Sequence, residues 1–180
     1  MLGAAFLAAL IARRGSATRG VPAVVLAAAW IGVGLAHGVL LRELTHGGAL
    51  VLDVLLATFL GDTAAQLGGS AFGRRKLAAS ISPGKTVEGL GFGIFTGTAV
   101  VLIAALGFQD FIDPLDALWL GLACSLAAPC GDLLESMLKR EAALKDSGSL
   151  LGPHGGMLDR IDACLFSAVA GYYVSIALIV

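Results

Sequence analysis

Apolar residues run through this chain in blocks separated by short polar connections. Blocks long enough to cross a bilayer, which takes about 20 residues of helix, fall at roughly 21–41, 49–68, 89–107, 115–135 and 161–180. An opening run, Met1 to Ala12, is apolar but only twelve residues long. The pattern predicts an all-α, polytopic helical membrane protein of about five to six transmembrane helices. The short opening run is read as the remainder of a longer N-terminus, with residues 1–48 forming N-terminal membrane helices and 49–180 the catalytic membrane domain.

The polar connections differ sharply in charge. Alternate ones hold Arg13, Arg14 and Arg19, then Arg74, Arg75, Lys76 and Lys85, then Lys139, Arg140, Lys145 and Arg160. The opposite set holds Arg42 alone of the 12 Lys and Arg residues, and its 108–114 connection carries Asp110 and Asp113. Because basic loops stay on the cytoplasmic side, residues 69–88 and 138–160 are expected there, lining a cytoplasm-facing polar cavity, with the C-terminus outside.

Composition agrees with a membrane protein. The 180 residues are 57% hydrophobic and 14% charged, against about 25% charged in a soluble domain, and mean hydropathy is +0.88. A net charge of −1 gives no bulk basicity for nucleic acid, so none is expected as a partner. Cys124, Cys130 and Cys164 lack metal-ligand spacing and lie in apolar runs, the setting of small buried hydrophobes.

Several acids nonetheless fall within the blocks or at their ends: Asp53, Asp62, Asp132 and Glu135. A charge near the bilayer centre costs about 2.5–3.5 kcal/mol on insertion scales, so such groups face a bundle interior and find partners. Asp53, on the outer half of its block, reads as a structural partner for another helix. Asp62, near the cytoplasmic end of the same block, reads as functional. His37, alone among apolar neighbours, reads as a packed or hydrogen-bonded side chain. The glycine pairs Gly34/Gly38 and Gly93/Gly97 have the spacing that lets membrane helices approach closely. Pro129 is expected to break its helix, leaving Asp132 near a helix end.

Chemistry concentrates between Gly131 and Asp162. There stand Asp132, Glu135, Asp146, Asp159 and Asp162, with Lys139, Arg140, Lys145, Arg160 and His154. Asp132, Glu135, Ser136 and Lys139 follow at i, i+3, i+4 and i+7, one face of a helix. Asp-Ser-Gly-Ser and Gly-Pro-His-Gly-Gly then make a loop. Carboxylates suit Mg2+, a hard cation that bridges phosphates, while Arg forks and Lys point charges suit the phosphates. Two nucleotide motifs are excluded. Ser82-Pro83-Gly84-Lys85-Thr86 ends like a P-loop, but Ala79 stands where its first Gly belongs and no strand is expected before it. The 89–97 run GLGFGIFTG has no GxGxxG register.

Ser136-x-x-Lys139-Arg140, then Lys145-Asp146-Ser147-Gly148, then His154-Gly155-Gly156-x-x-Asp159-Arg160-x-Asp162 resembles the signature of the CDP-diacylglycerol synthase (phosphatidate cytidylyltransferase) family. Ser82-Pro83-Gly84-Lys85-Thr86-x-Glu88-Gly89 and the segment from Asp62-Thr63 to Gly73 resemble its other polar blocks, in order, so that the likeness covers roughly residues 50–180. The chain departs in reading Gly152-Pro153 where members commonly read Pro-Gly, in having Gln66 where an aromatic residue is usual, and in being shorter at the N-terminus.

The resemblance implies conversion of CTP and phosphatidate to CDP-diacylglycerol and pyrophosphate, at the bacterial inner membrane, with the site facing the cytoplasm. It implies Mg2+ and admits a monovalent cation such as K+; a homodimer is expected. Metal ligation is assigned to Asp132 and Asp159, with Asp162 or Asp62 in support. Lys85, Lys139, Arg140, Lys145 and Arg160 would hold phosphates, Asp146 belongs to the same catalytic signature, and Ser82, Thr86 and His154 are candidates for triphosphate or ribose contacts. Glu88 completes the substrate-binding block. The alternatives are a CTP-dependent transferase for another lipid phosphate, an inactive or truncated paralogue, and a cation transporter that would use the buried acids as a path.

Overall fold

A computed structural model of the protein describes residues 17–141 and 156–179, with side chains from residue 25 onward. Helices α1 (Ala17–Glu43), α2 (Gly47–Phe72), α3 (Val87–Phe108), α4 (Pro114–Glu141) and α5 (Leu158–Leu178) form one bundle. Each contains a stretch long and apolar enough to cross a membrane, so the expected polytopic helical membrane fold is the one observed. Phe95, Ile103, Leu106 and Phe108 lie open on α3, as lipid-facing side chains do when the surrounding solvent is itself apolar.

Between α2 and α3 the chain makes a feature the apolar pattern does not announce, an antiparallel hairpin of β1 (Lys76–Ala78) and β2 (Ser82–Thr86). A short strand therefore does precede Ser82–Thr86, contrary to expectation. Those residues themselves form β2 rather than a phosphate-cradling loop, so the exclusion of a P-loop stands.

Backbone approach holds the bundle together. A Cβ on Gly93 would lie 3.0 Å from Ala65 Cβ and from Gly61 O, and one on Gly97 would meet Ala57 O at 2.6 Å; α2 and α3 approach closely along this face because the glycines leave room. Gly34 lets α1 approach Leu165 of α5, whereas a Cβ on Gly38 would meet nothing within 4 Å among the described residues. One core cluster holds Leu41, Leu50, Val54, Val101, Leu120 and Cys124; a second unites Trp30, Leu138 and Leu165.

Pro129 does not end its helix. α4 runs unbroken from Pro114 to Glu141 with Pro129 inside, so Asp132 sits within the helix rather than at its end. Proline costs a helix one hydrogen bond and a clash, and in a membrane the freed backbone is tolerated where it lines a cavity. Ser125, Ala128 and Pro129 line a small recess together with Thr58, Gly61, Asp62 and Gly93.

Candidate functional site

Local sequence fixes the frame of the site. Thr86, in an extended conformation, caps α3 by accepting a hydrogen bond from Gly89 N at 3.1 Å, the usual service of an N-terminal threonine. Two residues on, Glu88 Oε2 accepts from Arg74 N at 3.0 Å and Arg75 N at 3.1 Å, and Glu88 Oε1 accepts from Arg75 Nε at 3.3 Å. Val87 N donates to Arg75 O at 2.9 Å. These bonds clasp the end of α2 to the start of α3. In the block Ser82 to Glu88, the capping threonine and the glutamate thus hold the hairpin's base. Ser82 opens β2, opposite Ala78.

Lys85 projects from that base to the α4 face, where its ammonium pairs with Asp132. Arg140 Nε, at the far end of α4, donates to Ile81 O in the hairpin turn at 3.2 Å. The hairpin and the last turns of α4 therefore share one end of the bundle, as the charge pattern required for the basic connections on either side of α3 and α4.

The predicted helix face is real. Ser136 Oγ donates to Asp132 Oδ1 at 3.4 Å, and Lys139 Nζ donates to Glu135 Oε2 at 2.8 Å. The same ammonium reaches across to Asp159 Oδ1 in the first turn of α5 at 2.7 Å, and Asp159 Oδ2 accepts from Gly156 N at 2.7 Å. Asp162, one turn deeper and buried, lies within electrostatic reach of Asp132, Asp62 and Glu135. Helices α4 and α5 come together here because Gly131 has no side chain: a Cβ would collide with Asp162 O. Arg160 is exposed beside Asp159.

The site thus gathers Asp62, Lys85, Asp132, Lys139, Asp159 and Asp162. Lys145, Asp146 and His154 lie outside the described residues. Glu135, expected on the shared helix face and to find a partner, pairs with Lys139; its side chain is 3% exposed and its Oε1 has no hydrogen-bond partner among the described residues. Away from this end, Asp53 is fully buried and its two oxygens accept from Gln109 Nε2 at 2.9 and 3.0 Å. His37 is held by Val33 O at 2.8 Å and packed on Tyr172 and Tyr173. Both are the structural roles expected.

Among the described residues, no three His, Cys, Asp or Glu side chains stand grouped as a metal cage. Asp132 faces Lys85 and Asp159 faces Lys139. Asp62, Asp132, Asp159 and Asp162 are nevertheless of the donor type Mg2+ takes, carboxylate oxygens, and the buried Glu135 Oε1 beside them has no hydrogen-bond partner among the described residues.

The sequence model of the cytidylyltransferase family matches residues 1–178. A membrane-embedded helical bundle with a carboxylate and lysine cluster at one end is thereby placed: the chain belongs to the cytidylyltransferase family. It is 34% identical over 154 residues to the phosphatidate cytidylyltransferase of Mycobacterium tuberculosis (strain ATCC 25618 / H37Rv), covering 86% of this chain and 47% of that protein. With the phosphatidate cytidylyltransferase of Bacillus subtilis (strain 168) it shares 38% identity over 144 residues, 79% of this chain and 54% of the relative. A protein of Escherichia coli (strain K12), YnbB, described as uncharacterized, is 44% identical over 132 residues, 71% of this chain and 43% of that protein. The chain spans about half the length of these curated relatives.

Proposed function

We propose that this chain carries the catalytic end of a phosphatidate cytidylyltransferase, which makes CDP-diacylglycerol and pyrophosphate from CTP and phosphatidate. The observation that carries the reading is the cluster joining Lys85, Asp132, Lys139 and Asp159 at one end of a membrane bundle. The names of the Mycobacterium and Bacillus relatives support it.

In this reaction a phosphate oxygen of phosphatidate attacks the α-phosphorus of CTP. One P–O bond forms, the α–β anhydride bond breaks, and its electrons leave with pyrophosphate. A phosphate monoester, with second pKa of about 6, is already largely dianionic at pH 7, so the nucleophile needs little help from a base. The difficulty is repulsion between two anions, and the enzyme's task is to neutralise and align them.

Asp132 and Asp159 would hold Mg2+, with Asp162 and Asp62 in support and a monovalent cation such as K+ admitted beside them. When bound, Mg2+ neutralises phosphate charge and polarises the reacting phosphoryl group. Lys85, Arg140, Lys145 and Arg160 would bind phosphate oxygens, with Asp146, His154 and Ser82 completing the polar surroundings. Lys139, held between Glu135 and Asp159, is better suited to keeping Asp159 in place than to gripping a phosphate. Thr86 and Glu88 would act through the hairpin they anchor. The cluster would face the cytoplasm of a bacterium from its inner membrane, in a homodimer.

The test is formation of labelled CDP-lipid from CTP and phosphatidate by purified protein, with and without Mg2+. Product that needs both substrates and the ion supports the reading. No product from folded protein in the presence of all three overturns it.

A further inference from the structure

The Lys85–Asp132 pair differs from its neighbour in joining two separate elements, with both partners partly open to solvent. Lys139 stands on α4 itself, one turn from Glu135, and its two partners are 3% and 13% exposed. Lys85 comes from a separate element and remains 24% exposed, facing Asp132 at 25%. The hairpin that bears it has only short strands with a register irregularity, and its Pro83 and Gly84 are open, with nothing within 4 Å of where a Gly84 Cβ would stand. Its base is firmly clasped by Thr86 and Glu88. The lysine is therefore anchored at its root, next to the clasped base, while the hairpin turn rests on α4 through Arg140 and Ile81 O and its ammonium keeps partial access to solvent.

We propose that Lys85 is a built-in counter-cation of Asp132 that exchanges with the divalent ion. In protein without metal, the ammonium neutralises a carboxylate that would otherwise stand uncompensated beside Asp62 and Asp162, at the cost such groups incur in a membrane. When the ion takes Asp132, Lys85 is released while still tethered beside the site, and a nucleotide's phosphates are its next partner. The exchange keeps the charge near Asp132 balanced in both states. It also sets metal affinity, because the ion binds only the fraction of protein in which Asp132 is free. This inference rests on the proposed placement of the metal at Asp132, though not on the identity of the reaction.

The experiment uses the whole chain in lipid nanodiscs without nucleotide, with Mn2+ as the probe and electron paramagnetic resonance as the readout. Lys85→Gln is expected to bind Mn2+ about fivefold more tightly than the parent, the factor a partly screened ion pair worth roughly 1 kcal/mol imposes. In an Asp132→Asn background the same substitution should change nothing. Unchanged or weaker Mn2+ binding by Lys85→Gln overturns the exchange. A second measurement needs no variant: acylation of the Lys85 amine by an amine-reactive reagent, read by mass spectrometry of its peptide. Adding Mg2+ should raise it severalfold, and a yield insensitive to Mg2+ overturns the proposal. Subsequent CTP should lower the yield again. Protein that shows the Mn2+ and acylation effects yet makes no CDP-lipid leaves the exchange standing and removes the transferase reading.

Discussion

Lys139 Nζ lies 2.7 Å from Asp159 Oδ1, which ties the start of the signature on α4 to its far end on α5. The same ammonium holds Glu135 at 2.8 Å, so a single positive charge serves two carboxylates that are almost wholly withdrawn from solvent. Removing one partner of a buried ion pair leaves uncompensated charge and commonly costs about 3 kcal/mol or more. Lys139→Met should accordingly lower the thermal unfolding midpoint clearly in detergent or nanodiscs. Adding Glu135→Gln should restore part of the loss, because one of the stranded charges is gone. Additive destabilisation by the two substitutions would show that Glu135 and Lys139 are not coupled.

The proposed metal ligands give a kinetic expectation. Asp132→Asn and Asp159→Asn keep size and hydrogen-bonding capacity but remove the charge that would hold the ion. Turnover should fall by orders of magnitude, since several kcal/mol of electrostatic stabilisation are at stake and each 1.36 is about tenfold. The double variant should be little worse than either single one, as for residues that act as a unit. The measurement is CTP-dependent CDP-lipid formation across a Mg2+ titration. Near-parental rates in both folded single variants would remove these acids from the metal.

Asp53 and Gln109, at the other end of the bundle, should behave differently. Gln109→Ala deprives a fully buried carboxylate of its donor, a loss of roughly 2 kcal/mol for a hydrogen bond to a charged group. The unfolding midpoint should drop while the rate per folded molecule stays within about twofold, a spread that ~0.4 kcal/mol covers. Asp53→Asn should likewise disturb stability more than turnover. A large fall in turnover at unchanged stability would assign this pair to the chemistry.

Topology can be checked with cysteines placed at exposed positions. Gly84→Cys in the hairpin and Glu141→Cys at the end of α4, in a chain with its native cysteines replaced, should both be labelled by an impermeant thiol reagent from the cytoplasmic side. Labelling from opposite faces would contradict a single site shared by the two basic connections.

Much of the fold was legible because a membrane helix is decided locally. About 20 apolar residues satisfy their own backbone hydrogen bonds and need no partner to be stable in lipid, so the apolar blocks located α1 through α5 closely, except that α4 runs on past the expected end at 135 to Glu141. The helix face of Asp132, Glu135, Ser136 and Lys139 was legible for the same reason, since i, i+3 and i+4 neighbours are set by the helix itself. The charge pattern likewise placed the hairpin and the end of α4 together, and the contact of Arg140 with Ile81 agrees.

Which of those side chains meet was decided only by the tertiary structure. Lys85 and Asp132 stand on separate elements, and their pairing depends on where a clasped hairpin aims one lysine. The reach of Lys139 to Asp159 depends on how closely α4 and α5 approach at Gly131. Pro129 was read as a breaker because local cost argued so, whereas the recess beside it leaves α4 room to continue. Gln109 carries no signal that it will satisfy Asp53, since a connection between helices shows nothing of its neighbours until the helices are packed. Composition and period determine what each segment is. The rotation and closeness of packed helices determine which charges face one another, and no local stretch of sequence carries that information.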